Sequence, residues 1–140
     1  MKYRALKIKF GSMDDFMARS RRDLKEVLKN RKPIATSKDT LTWASVESYQ
    51  QFMSDQKYTI LAAIHKYEPQ SVYQLAKMLN RAQQNVARDC DLLAGHGLIK
   101  FYESKDGRKT KAPRLIFNYN SIEIHLPIVT YRIEFKDEAA

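Results

Sequence analysis

Between residues 83 and 88 the chain reads Gln-Gln-Asn-Val-Ala-Arg. The polar members of that run suit one kind of chemistry. A Gln or Asn amide offers a donor and an acceptor side by side and can pair bidentately with adenine, and a guanidinium can do the same with guanine. Gln83, Gln84, Asn85 and Arg88 are therefore the candidate base-reading set. Further on, the stretch ESKDGRKTKAP carries Lys105, Arg108, Lys109 and Lys111, with Arg114 just beyond it. Cations at that density suit backbone phosphates or the minor groove. Ser71 and Arg81, near the starts of two successive helical segments, join them as candidate backbone contacts. The competing reading is a solvated helix face followed by a solubilising loop. The polar run taken alone favours that reading; the basic loop beside it tips the balance toward nucleic acid.

No arrangement of residues suggests catalysis. There is no Ser–His–Asp or Cys–His constellation, no glycine-rich phosphate loop and no paired carboxylate at a plausible site. Asp14 and Asp15 are explained by the positive end of a helix. The single cysteine, Cys90, excludes an internal disulfide and a cysteine-rich zinc site. His65, His96 and His125 lie far apart, without metal-ligand spacing. A redox-sensing role for Cys90 competes with a packed core role, and its place on an apolar helical stripe favours the core. Trp43, Tyr49, Phe52 and Tyr58 can likewise line an effector pocket or simply pack, and packing is the better account of four such aromatics. The expectation is a protein that is not an enzyme and takes no metal or cofactor.

Charge supports a polyanionic partner. The net charge is +9 and the pI about 9.7. Lys and Arg outnumber Asp and Glu by 11 to 4 over residues 1–33 and by 6 to 2 over 100–114, while 34–99 balance at 6 and 6. Each cation set against a phosphate releases a condensed counterion, so such clusters raise affinity for duplexes. Hydrophobic residues at 44% and aromatics at 11% suffice for a core in this 140-residue chain. The opening MKYRALKIKFGS has no apolar stretch of the kind a signal peptide needs. No apolar run nears the ~20 residues of a membrane helix. A cytoplasmic protein is expected.

These residues need elements to hold them. Leu6, Ile8 and Phe10 alternate with Lys7 and Lys9, which predicts a half-buried strand. Ser12 can cap a basic helix over 13–30 that places Phe16, Met17, Leu24, Val27 and Leu28 at helical spacing. A short strand is expected over 40–43. Ser45 can cap a helix through Phe52, and Ser54 one over 55–67 with Tyr58, Leu61, Ala62 and Ile64 or His65 inward. Ser71 and Gln74 form a capping box for a short helix ending near Leu79. A helix over 83–94 follows, its buried stripe being Val86, Cys90 and Leu93 at i, i+4 and i+7. Residues 98–102 and 114–119 predict a hairpin whose long tip centres on Asp106-Gly107. Two alternating strands follow, around Ile122-Ile124-Leu126 and Val129-Tyr131-Ile133-Phe135, divided by Pro127.

The stretch SVYQLAKMLNRAQQNVARDCDLLAGHGLIKF, from Ser71 to Phe101, resembles the MarR-like winged helix–turn–helix regulators, and the likeness extends more loosely over 43–119. It is carried by Ser71, Leu75-Ala76, Val86, Leu93 and Gly97-Leu98-Ile99. Asn80 stands where that family usually has Gly, and Ala82 where a Ser or Thr cap is usual. Asn accepts the left-handed conformation; it can also cap the second helix itself and start it earlier. The resemblance implies an α+β winged helix–turn–helix fold, with the domain over 43–120. A strand and helix over 1–42 and strands over 121–140 are added to it for dimerisation or partner binding. It implies a repressor that reads double-stranded DNA as a homodimer. Two alternatives stand beside it: an antitoxin that represses its own operon and binds a toxin protein, and an adaptor that binds only protein.

Overall fold

The computed structural model describes residues 4–11, 32–103 and 111–136. The helix expected over 13–30 and the tip of the hairpin lie outside them. Within them the fold is α+β, with four helices, a mixed five-stranded sheet and a two-stranded sheet. No helix among the described residues is long and apolar enough to cross a membrane. The described residues form two compact units. One draws on residues up to 54 together with 121–134, the other on 55–120 together with the residues from 135 onward. The sequence reading draws its boundaries at 42/43 and 120/121 instead.

The first unit is built on strands β1 (Ala5–Phe10), β2 (Ile34–Ser37), β3 (Thr40–Trp43), β6 (Ser121–His125) and β7 (Thr130–Glu134). Their order in the sheet is β2-β3-β1-β6-β7, with β1 parallel to both β3 and β6. Leu6 and Ile8 are buried from this central position, as their alternation requires. Strands from both flanks of the sequence therefore pair with one another within a single chain. At the β2–β3 turn the Asp39 carboxylate accepts from Ser37 Oγ at 2.8 Å and Thr40 Oγ1 at 3.0 Å. These two hydrogen bonds, first among the causes, hold its pKa below the usual carboxylate value. Helix α1 (Val46–Phe52) opens on a capping box in which Ser45 and Ser48 satisfy each other's amides. It lays Tyr49 and Phe52 against Trp43, with ring centroids 5.1 and 5.4 Å away.

The second unit contains α2 (Asp55–Tyr67), α3 (Val72–Leu79), α4 (Gln83–Gly95), β4 (Ile99–Glu103) and β5 (Lys111–Leu115). Helix α2 packs against α3, α4 and β5, so it is covered on more than one side. Its buried residues are Ile60, Leu61, Ala63 and Ile64. Tyr58 and Ala62, expected inward, are only half-buried, because two adjacent faces are covered rather than a single stripe. The Ser71 hydroxyl accepts the Gln74 amide at 3.0 Å. The Gln74 side chain reaches back one residue further than a capping box would place it, accepting from Gln70 N–H at 2.6 Å.

Helix α3 stops at Asn80, whose φ of 53° and ψ of 47° put it in the left-handed region. That conformation turns the chain sharply and lets the Arg81 amide donate to the Ala76 carbonyl at 3.0 Å. Asn80 thus ends the first helix rather than capping the second. The N-cap of α4 is Ala82, with no side-chain hydrogen bond to the helix. Ala82→Ser is expected to supply the missing acceptor and stabilise the protein by about 1 kcal/mol, read as a higher midpoint in chemical denaturation. An unchanged midpoint would mean that the α4 amides already find equivalent partners.

The hairpin differs from expectation in its second strand. β5 begins at Lys111 rather than Arg114 and ends at Leu115 rather than Tyr119, pairing Glu103 with Lys111 and Phe101 with Pro113. Proline is tolerated there because a two-stranded ladder leaves one side of each strand without a neighbour. Tyr119 is fully buried, and its hydroxyl donates to the Leu98 carbonyl at 3.0 Å. Burial pushes that phenol's pKa up, which keeps its proton available for the bond.

Candidate nucleic-acid interface

Helix α4 is fixed along one side only. Val86, Cys90 and Leu93 are 0% exposed, and α4 packs on α3, α2 and β4. The pitch of 3.6 residues then turns the remaining positions of the first two turns away from the body. Gln83, Gln84, Asn85 and Arg88 are all exposed, and Ala87 is half-buried between them. The four candidate base-reading residues are thus brought together on one accessible face at the start of one helix.

Arg81 is placed differently. Its guanidinium donates to Asp89 Oδ2 at 3.0 Å and to Gln56 Oε1 at 3.3 Å. The Arg81 and Asp89 side chains are only 20% and 16% exposed. Arg81 therefore ties the start of α4 to the start of α2. Nη1 of the same guanidinium is buried without a hydrogen-bond partner. Gln56, Arg81, Asn85, Arg88 and Asp89 line a cleft of about 410 Å³ along this edge. Asp89 offsets part of the positive charge there.

The candidate backbone contacts divide. Lys111 is exposed at the start of β5. Arg114 is turned inward, donating through Nη1 to the carbonyls of Pro69 at 2.6 Å and Pro113 at 2.8 Å. It fastens the base of the hairpin to the α2–α3 connection. Ser71 is half-buried and its oxygen is engaged in the helix cap. Lys105, Arg108 and Lys109 lie outside the described residues. Two contacts escaped the sequence reading. Lys100 Nζ sits 5.0 Å from the Tyr102 ring centre on the hairpin, and Lys77 Nζ 4.9 Å from that of Tyr73 on α3. Tyr73 and Tyr102 are exposed. The available signals were spacing i, i+4 on a helix and i, i+2 on a strand, each of which puts two side chains on one face. Tyr102, Lys100, Glu103, Glu68, Gln70 and Arg114 contribute to a second cleft of about 680 Å³.

The remaining candidates for chemistry are taken up in packing. Burial, with Asp89 and Asp91 adding to it, pushes the Cys90 thiol up to about 12. A thiol that keeps its proton to that pH is a poor nucleophile and a poor redox sensor. Native protein at pH 8 is expected to leave Cys90 unalkylated by iodoacetamide over hours, with full labelling once denaturant is added. Rapid labelling of the native chain would overturn this. Trp43 and Tyr49 are buried against each other. His125 pairs with Glu123 at 3.1 Å, and the His65 ring lies 5.6 Å from that of Phe135. Among the described residues no group of three or more His, Cys, Asp or Glu is placed to hold a metal ion.

The family model HVO_A0114 matches residues 52–124, just over half of the chain, from the last residue of α1 into β6. No curated protein and no solved structure matches.

Proposed function

The chain belongs to the HVO_A0114 family, and for a member built in this way we propose a sequence-selective double-stranded-DNA-binding regulator. It acts as a repressor of the winged helix–turn–helix type, in line with its resemblance to the MarR-like regulators. The observation that carries this reading is the one-sided burial of α4. Val86, Cys90 and Leu93 hold the helix, while Gln83, Gln84, Asn85 and Arg88 stand clear of the protein. An α-helix fits the major groove, and these side-chain types match adenine and guanine edges there. The sharp turn at Asn80 and the hairpin after α4 supply the helix–turn–helix and wing of the proposal. The tip sequence, with Lys105, Arg108 and Lys109, supplies cations for adjacent phosphates.

Two copies of the chain would set two such helices into successive major grooves, about 34 Å apart, on a near-palindromic site. Occupying that site blocks transcription by exclusion.

Selection of bound duplexes from a random pool tests the reading. Enrichment of one short motif is expected, and a pool that emerges as random as it entered would overturn it. Replacing Arg108 and Lys109 together with Ala should weaken every duplex alike. It should also flatten the slope of log affinity against log salt by roughly 2. An unchanged slope would remove the hairpin tip from the interface.

A further inference from the structure

We infer that two copies of this chain join through the outer edge of β7, antiparallel about a two-fold axis at Ile133, so that one five-stranded sheet continues into the other. The two edges of the sheet are unlike each other. The edge strand β2 has only four residues, slips register between Ala35 and Ser37, and is flanked by exposed Lys32 and Lys38. Shortness, a bulge and lysines are the devices that keep an edge from pairing with a stranger. β7 is one residue longer, has an exposed lysine at one end only, Lys136, and carries no bulge. It pairs with β6 in unbroken register from His125↔Thr130 to Ser121↔Glu134 and contains neither Pro nor Gly.

The backbone pattern says which groups face outward. Leu126 N–H donates to the Val129 carbonyl, and Phe135 N–H to the Asn120 carbonyl. In an antiparallel ladder the direction alternates, so residues 129, 131, 133 and 135 turn their peptide groups toward β6. Thr130, Arg132 and Glu134 turn theirs outward, where no other strand lies among the described residues. Ile128 at 97% exposure, Val129 at 44% and Tyr131 at 56% stand along the same strand.

The occupant follows from the charges. If the axis fell at Arg132, that cation would oppose its own copy, which destabilises a cross-strand pair. With the axis at Ile133, Arg132 of each copy opposes Glu134 of the other and Ile133 opposes Ile133. The 132/134 pairs are then the hydrogen-bonded ones, as the outward peptide groups require. The segment Arg-Ile-Glu is its own complement when reversed. Arg132 is 3.7 Å from Glu134 and 3.8 Å from Glu123 of its own chain, at the long end of ion-pair distances. This deepens the two-copy arrangement of the proposed regulator, but it is read without DNA.

Sedimentation of the full chain at micromolar concentration is expected to show a dimer. Arg132→Glu sets Glu against Glu, and Glu134→Arg sets Arg against Arg, so each variant alone should dissociate about ten-fold more readily. Mixed together, the two variants carry complementary strands and should restore a dimer containing one of each. Contacts within a chain cannot produce that rescue. Ile133→Cys should form a disulfide-linked dimer with copper phenanthroline as oxidant, because wide antiparallel pairs bring Cα atoms within about 4.5 Å. Thr130→Cys should not. A monomeric wild type, a mixture that fails to pair, or cross-linking at position 130 and not 133 would overturn the interface. A chain that selects duplexes yet sediments as a monomer removes this interface alone. A dimer that selects no duplex removes the DNA reading alone.

Discussion

Arg88→Ala is expected to cost about 1–3 kcal/mol at the selected duplex, roughly 5–150-fold in affinity, and to relax the preference at one base pair. Arg88 is exposed on the first turns of α4, one helical turn beyond Gln84 and Asn85, and its backbone is held by the buried Val86 and Cys90 on the opposite side. A guanidinium in that position can place two parallel donors on the O6 and N7 acceptors of guanine, and Ala offers neither. Because the side chain is exposed, its loss should leave the thermal midpoint within about a degree or two of wild type. Titration against the selected duplex and its single-base variants gives the answer. Wild-type affinity and wild-type selectivity in the variant would show that Arg88 touches no base. Arg81 marks the contrast on the same edge. Tied to Asp89 and Gln56, it serves the placement of the helix, and replacing it should act on stability before binding.

Trp43→Ala is expected to destabilise the first unit by about 3–5 kcal/mol. Trp43 is 0% exposed and ends β3, where Tyr49 meets it edge-on at an interplanar angle of 86°. Removing the ring takes away apolar surface that Tyr49 and Phe52 both cover, and α1 and β3 lose their largest shared contact. Against a whole-domain stability of roughly 5–15 kcal/mol, that is about a fifth or more. Chemical denaturation followed by far-ultraviolet circular dichroism reads the change, since the variant also loses the only tryptophan fluorophore. A loss below about 1 kcal/mol would mean that the site collapses around the gap.

The helix ends, and the faces of most elements, were legible in residue order. Ser45 and Ser71 mark helix starts, Asn80 a left-handed stop, and Val86, Cys90 and Leu93 a buried stripe. Each follows from local rules that need only a few neighbouring residues. What was not legible depends on partners distant in the chain. Alternation in β1 says which face is buried but not that β3 and β6 lie parallel on either side of it. Ile60 and Ala63 were missed because the width of α2's buried face is set by how many elements cover it. The β5 strand starts at Lys111 within a run of Lys, Ala, Pro and Arg, whose composition reads as loop. The candidate site divides in the same way. Exposure of Gln83, Gln84, Asn85 and Arg88 follows from helical phase. The inward turn of Arg81 and Arg114 needed the coordinates of Asp89 and of the Pro69 carbonyl.

The parallel partnership of β1 bears on how the molecule is made. Ala5 lies opposite Ser121 and Ile8 opposite Ile124, so β1 completes its hydrogen bonding only after β6, more than a hundred residues later, has been translated. Residues 55–120, a continuous stretch with its own buried residues, emerge in between and can settle first. Until β6 has been made, Leu6 and Ile8 lack one of their two flanking strands. The nascent chain spends that interval with the apolar side chains of β1 only partly covered and Lys7 and Lys9 keeping the segment charged, and so distant a pairing closes more slowly than local contacts do.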